Sequence, residues 1–244
     1  IWFRNNLRVH DNTSIKKAVQ NHTKVIAVYF FDPKLFEFDK FGIQKTAKYR
    51  AKFLIETVTD LKKNLEDLNI TLLTYFESPE DKLHEICDAY KIETIYTQKE
   101  WTKEEVTTNN FIKNTLSETL NFVEDYDQFL YNPTTVSKDF SNIPNVFTAF
   151  RKKLEKTVQI QKEVQVSKCT SENLIENRTI ITTLQDLGFE DFEVHENTAF
   201  PFSGGETSAL ERLKNYFFET KKVGFYKKTR NGLLGVDYST KFSP

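Results

Sequence analysis

Residues 47–76 read AKYRAKFLIETVTDLKKNLEDLNITLLTYF, and two periodicities follow one another within them. Ala47, Ala51, Leu54, Val58, Leu61, Leu65 and Leu68 recur at alternating steps of four and three. That spacing lays a single apolar stripe along a long helix. The next seven residues, ITLLTYF (70–76), are short, apolar and rich in β-branched and aromatic types, as a buried strand requires. A helix that delivers a buried strand is the repeat unit of a parallel sheet. Working outward, strand patterns recur at 1–3, 24–31 (KVIAVYFF), 92–97 (IETIYT) and 121–126 (NFVEDY). Ser78-Pro79-Glu80-Asp81 is a helix start, with Pro in the first turn and acids at the positive end of the dipole. Another helical pattern runs from about 103 to 120. Residues 1–127 are therefore expected to form a doubly wound α/β domain with a parallel, five-stranded sheet.

The pattern loosens over 128–203. A short helix is expected at 147–156, followed by a polar run, KEVQVSKCTSENLIENRT (162–179), that reads as an inter-domain connector over the surface. Order returns at Gly204-Gly205-Glu206, where Ala209, Leu210, Leu213 and Phe217 fall on one helical face. Residues 204–244 read as the first helices of a second domain. The opening without Met and the stop at Pro244 lead us to expect that both ends are trimmed.

Totals narrow the function classes. Apolar residues make up 39%, and 22 Phe and 10 Tyr supply the volume for a sizeable core. Net charge is −1, so the chain is no general polycation, yet 221–244 holds five Lys and one Arg against Asp237. A local basic end suits an anionic partner at one place, or is simply a solvated tail. Two cysteines, Cys87 and Cys169, have no metal spacing, and the four histidines are scattered. No membrane span and no signal peptide are visible, so a reduced, cytoplasmic protein is expected.

Two places carry candidate chemistry. The loop after the first strand, RNNLRVHDN (4–12), has no glycine, which argues against a dinucleotide fingerprint. By composition its Arg4 and Arg8 read as an inter-element salt-bridge cluster, with Asp11 or Asn12 capping the next helix. The fourth strand runs into TQKEWTKEEV (97–106), whose Glu100, Glu104 and Glu105 sit where such sheets bind ligands. A carboxylate there accepts from ring N–H and amino groups, or Glu104 and Glu105 merely begin a helix.

Five collinear blocks bring in a resemblance. WFRNNLRVHDN (2–12) resembles the opening of the photolyase/cryptochrome flavoproteins. FDPKLF (31–36), VFTAFRKKLEK (146–156), FPFSGGETSALERLKNYF (200–217) and YKKTRNGLLGVDYSTKFSP (226–244) resemble the DASH-type cryptochrome branch, so the chain looks like the N-terminal portion of such a protein. One departure is Asn6, where the family's block usually carries Asp. The resemblance implies an α/β antenna domain holding methenyltetrahydrofolate, then an all-α domain holding FAD folded into a U. It implies antenna contacts from Phe3 and Glu104, with Glu100 and Glu105 beside them. For the FAD diphosphate it implies Tyr226, Ser239, Thr240, Lys241, Phe242 and Ser243. Arg230 and Asn231 fall where relatives touch DNA. The implied activity is light-driven splitting of cyclobutane pyrimidine dimers, preferentially in single-stranded DNA, by electron transfer from reduced FAD, in a monomer. The alternative is a photoreceptor with the same cofactors and no repair. The only tryptophans are Trp2 and Trp101, so the tryptophan chain that relatives use to reduce FAD is missing from these residues. The 244-residue piece alone is therefore expected to hold no FAD stably and to repair nothing.

Overall fold

Trp2 and Phe3 sit at the centre of everything that follows. They form β1 (Trp2–Phe3), and both are almost wholly buried. β1 pairs in parallel with β2 (Ile26–Phe30) on one side and β4 (Thr94–Gln98) on the other. β3 (Thr71–Tyr75) and β5 (Asn121–Asp125) complete a five-stranded, all-parallel sheet in the order β3-β2-β1-β4-β5. The computed structural model describes residues 1–116, 120–136, 143–232 and 235–241. The expected doubly wound sheet is present, with strand ends moved by one or two residues.

Side chains of a strand alternate between faces, and that alternation builds two cores. Phe3, Ala27, Tyr29, Phe31, Leu72 and Tyr96 face one way. They pack on Ile15 and Ala18 of α1 (Thr13–Asn21) and on Val58, Leu61 and Leu65 of α2 (Lys48–Asp67). Trp2, Val28, Phe30, Leu73 and Ile95 face the other way, against Leu83, Ile86 and Cys87 of α3 (Pro79–Tyr90) and Ile112 of α4 (Lys103–Leu116). Asn12, not Asp11, caps α1: its Oδ1 accepts from the Ile15 amide at 3.0 Å. Asp11 has a positive φ of 50° and turns its carboxylate to the Val164 amide at 2.8 Å.

After two short helices, α5 (Pro133–Val136) and α6 (Phe147–Thr157), the polar run is more than a surface tether. Asn173 is 2% exposed. Its Oδ1 accepts from the Val25 amide at 2.7 Å, and its Nδ2 donates to the carbonyls of Val25 and Asn69 at 2.9 and 2.6 Å. Asn177 donates to the Leu72 carbonyl, and Thr179 Oγ1 accepts from the Thr74 amide. Side chains of the run thus occupy backbone groups along β3, an edge strand that would otherwise present them unpaired.

The next helix, α7 (Glu206–Leu213), is fastened to α2 at its N-terminus. The Gly204 amide donates to Glu56 Oε2 at 2.8 Å and the Thr207 amide to Asp60 Oδ2 at 3.0 Å. Carboxylates at that end suit the helix dipole. Glu206 reaches the other way and accepts from the amides of Val9 and His10, both at 2.8 Å. A π turn (Lys214–Glu219) continues α7 toward α8 (Tyr226–Thr229). Among the described residues, no helix is long and apolar enough to cross a membrane.

Two substitutions test these contacts by urea unfolding. Asn173→Ala strands buried backbone groups and is expected to cost roughly 3 kcal/mol. Gly204→Ala puts a methyl 2.2 Å from the Phe53 carbonyl oxygen, on backbone that cannot swing away. It is expected to cost about 1–3 kcal/mol.

Candidate functional site

From β1 the chain passes to β2 on one side, and it reaches the other side only later through β4. The carboxyl ends of β1 and β4 therefore flank the switch point of the sheet, where ligands bind in open α/β folds. A cleft of about 570 Å³ opens there, a volume suited to a small organic ligand. Phe3, Arg4 and Asn5 reach it from β1, Asp32 and Lys34 from the loop after β2, Glu80 from α3, and Glu104, Glu105 and Thr108 from α4. A second cavity, of about 370 Å³, lies at the amino ends of the strands, away from the switch point.

The cleft is held by charge. Arg4 stacks over the Trp2 ring at 4.5 Å and donates to Asn109 Oδ1 at 2.5 Å. Burial lowers its pKa, against the pull of Glu100, Glu105, Glu80 and Asp32. Arg8 donates to the carbonyls of His10, Asp11 and Asp127. The expected salt-bridge cluster is corrected accordingly. Both arginines do tie elements together, but their hydrogen bonds run to an amide and to backbone carbonyls, and among the described residues neither guanidinium forms an ion pair with a carboxylate.

The four implied antenna residues divide. Phe3 lines the cleft from a fully buried position. Glu104 is exposed and paired with Lys45. Glu105 accepts from Thr102 Oγ1 and, at 3.2 Å, from Asn5 Nδ2. Thr102 and Glu105 have the spacing of a capping box, so Glu105 helps begin α4 while facing the cleft. Glu100 is 5% exposed and reaches the cleft only through Asn5, whose Nδ2 lies 3.2 Å from each of its oxygens. Burial pushes the Glu100 carboxyl above the usual carboxylate range. Residue-type reasoning missed Asn5, Lys34 and Glu80. Their only sequence signals were a loop asparagine, the FDPKLF block and the acidic first turn of a helix.

The carboxy-terminal candidates lie elsewhere. Tyr226 is half exposed at the start of α8, and Arg230 and Asn231 follow it, both exposed. Ser239 Oγ accepts from the Lys241 amide at 3.3 Å. Lys241 has a φ of 65°, and its Nζ is buried over the Tyr238 ring without a hydrogen-bond partner among the described residues. Thr240 presents its carbonyl to Arg212 Nε at 3.3 Å. Phe242 and Ser243 lie outside the described residues.

Glu80 makes the cleft sensitive to acid. Desolvation raises its carboxyl, but hydrogen bonds from Lys34, Ser78 and Thr108 outweigh that and hold it at about 2 instead of 4.5. A carboxyl held low in the folded state stabilises it above pH 4.5, and that contribution is lost as the pH falls toward about 2. Glu80→Gln is expected to lower the urea midpoint at neutral pH. Its difference from the unsubstituted protein should vanish once the pH falls to about 2.

Comparison with known proteins agrees with this fold. The DNA photolyase family model matches residues 1–183. Cryptochrome DASH of Gloeobacter violaceus is 34% identical over 244 residues, covering 100% of this chain and 49% of the relative. The chloroplastic/mitochondrial cryptochrome DASH of Arabidopsis thaliana is 33% identical over 249 residues, covering 100% and 43%. The crystal structure of a Synechocystis cryptochrome matches with a TM-score of 0.91 at 31% identity, over 100% of this chain and 50% of that one. A Sulfolobus tokodaii photolyase, described as holding two FAD molecules, shares the fold at a TM-score of 0.65 and 20% identity, over 87% of this chain and 45% of its own. The chain spans about half the length of the curated relatives it matches. On the family match over three quarters of its length, the chain belongs to the DNA photolyase family, and its relatives at 31–34% identity put it in the cryptochrome DASH branch.

Proposed function

We propose that this chain is the antenna part, with the first flavin contacts, of a blue-light flavoprotein that splits cyclobutane pyrimidine dimers, preferentially in single-stranded DNA. The observation that carries the proposal is the cleft at the switch point, with Glu104 and Glu105 on its wall and Asn5 between Glu105 and Glu100. We assign it to methenyltetrahydrofolate. The fit rests on the donor set: a pterin offers ring N–H and amino donors, and exposed Glu104 is an acceptor that desolvation does not hold back. Asn5 bonds Glu100 and Glu105 at 3.2 Å and holds them side by side, while Phe3 closes the cleft from below. The bound folate would supply near-ultraviolet absorption and pass its energy to the flavin.

For FAD, we assign the diphosphate to Tyr226, Ser239, Thr240, Lys241, Phe242 and Ser243. Lys241 carries a buried ammonium without a hydrogen-bond partner among the described residues, and an anion beside it would supply the missing acceptor. We assign Arg230 and Asn231, exposed beside Lys227 and Lys228, to the DNA backbone. A preference for single strands follows from chemistry, since a base that is already unpaired is cheaper to extrude. We divide the chain at 1–127, 128–203 and 204–244. Cys87 and Cys169 are free, and burial raises both thiols, as suits a monomer working in a reducing cytoplasm.

The test uses the full-length protein with its pigments. Glu104→Gln with Glu105→Gln is expected to lower near-ultraviolet pigment occupancy about tenfold or more and to leave flavin occupancy unchanged. Unchanged pigment would overturn the antenna assignment. Irradiation with dimer-containing single-stranded and duplex oligonucleotides should split the single-stranded substrate faster. No splitting of either would overturn the repair reading and leave the photoreceptor alternative.

A further inference from the structure

We infer that Arg212, on α7, is the positioning residue that shapes the flavin diphosphate loop, and that it acts on the phosphates without touching them. The inference rests on the assignment of residues 239–241 made above. Arg212 is 7% exposed, which is rare for a guanidinium unless it is fully engaged. It lies over two aromatic rings, with its central carbon 5.1 Å from the Phe202 centroid and 4.8 Å from that of Tyr216. Four hydrogen bonds radiate from its edge. Nη1 donates to Asp237 Oδ1 at 3.0 Å, Nη2 to the carbonyls of Val236 and Ser239 at 3.1 and 2.9 Å, and Nε to the carbonyl of Thr240 at 3.3 Å.

Those bonds act on the loop through peptide geometry. In a trans peptide the N–H points opposite the C=O, and no cis bond occurs among the described residues. Drawing the carbonyls of Ser239 and Thr240 onto Arg212 therefore turns the amides of Thr240 and Lys241 away from it, that of Lys241 toward Ser239 Oγ at 3.3 Å. Successive amides aimed to one side make an anion-binding concavity. Asp237 pairs with both Arg212 and Lys222, so this three-residue cluster keeps one net positive charge beside the loop. The buried Nζ of Lys241, over the Tyr238 ring and with no hydrogen-bond partner among the described residues, is the second sign that an anion belongs on this loop. A lysine at 212 would keep the charge but lacks the planar fork that binds three carbonyls at once.

The experiment compares FAD with riboflavin, which lacks the diphosphate, by flavin fluorescence titration of the full-length apoprotein. Arg212→Lys is expected to raise the Kd for FAD about tenfold or more while leaving that for riboflavin unchanged, since only FAD uses the loop. Equal weakening of both flavins, or an unchanged FAD Kd, would overturn the inference. Should Arg212→Lys fail to fold, Asp237→Asn loosens the same fork while keeping the arginine. It is expected to shift FAD binding in the same direction, again with riboflavin unmoved, and no shift there overturns the inference equally. Ser239→Ala separates the two levels of argument. If it weakens FAD binding while the Arg212 and Asp237 variants do not, only the role of Arg212 falls. If none of the three moves FAD binding, the diphosphate assignment falls with it.

Discussion

The parallel pairing of β1 with two neighbours at once is the constraint on which the rest depends. Two residues, Trp2 and Phe3, bond to β2 on one side and β4 on the other, and send one ring into each core. Because the chain leaves β1 toward one side and returns on the other, the crossover helices diverge. The carboxyl ends of the central strands are left uncovered. The cleft is the space those helices cannot fill. Any ligand site in this half of the chain follows from that topology.

Within the cleft, burial sorts residues of the same type into different chemistries. Glu80, Glu100, Glu104 and Glu105 are all carboxylates near one opening. Glu80 is held ionised far below its ordinary range by three hydrogen-bond donors. Glu100 is pushed the other way by desolvation, with Arg4 opposing. Glu104 stays in solvent, beside Lys45. Of the four, Glu104 is exposed and Glu105 partly so, whereas Glu100 is buried, so burial decides which carboxylate oxygens are open at the mouth of the cleft.

The second half of the chain is held to the first by apolar burial, with Leu187 in the core beside Phe3 and Val58, and by polar contacts. Glu56 and Asp60 of α2 take amides at the start of α7, and Glu206 of α7 takes two amides of the loop after β1. The same short helix thus touches the loop that leads to the cleft and, through Arg212, the loop of residues 236–241. The Gly204-Gly205 pair is explained by this close approach, since a side chain at Gly204 would collide with the backbone of α2.

Much of the fold was legible because periodicity is a local property. The four-three spacing from Ala47 to Leu68 specifies a one-faced helix whatever it packs against, and the apolar runs around Val28, Leu73 and Ile95 specify buried strands. The collinear blocks likewise pointed to the family. The candidate site was legible only in part. Sequence showed that carboxylates gather after β4, yet not that Glu100 turns inward beneath Asn5. It showed a polar run at 162–179, yet not that Asn173 closes the backbone of Val25, 148 residues away. It showed Arg212 as one more charge on a helix, and in the fold that charge is buried against the rings of Phe202 and Tyr216. The sequence by itself determined the kinds of element, their order and the family they spell. Tertiary structure alone decided which polar groups are buried, which are paired and which remain open to a ligand. Burial and hydrogen-bond partnership are relations between distant segments, and no local pattern encodes the distance between them.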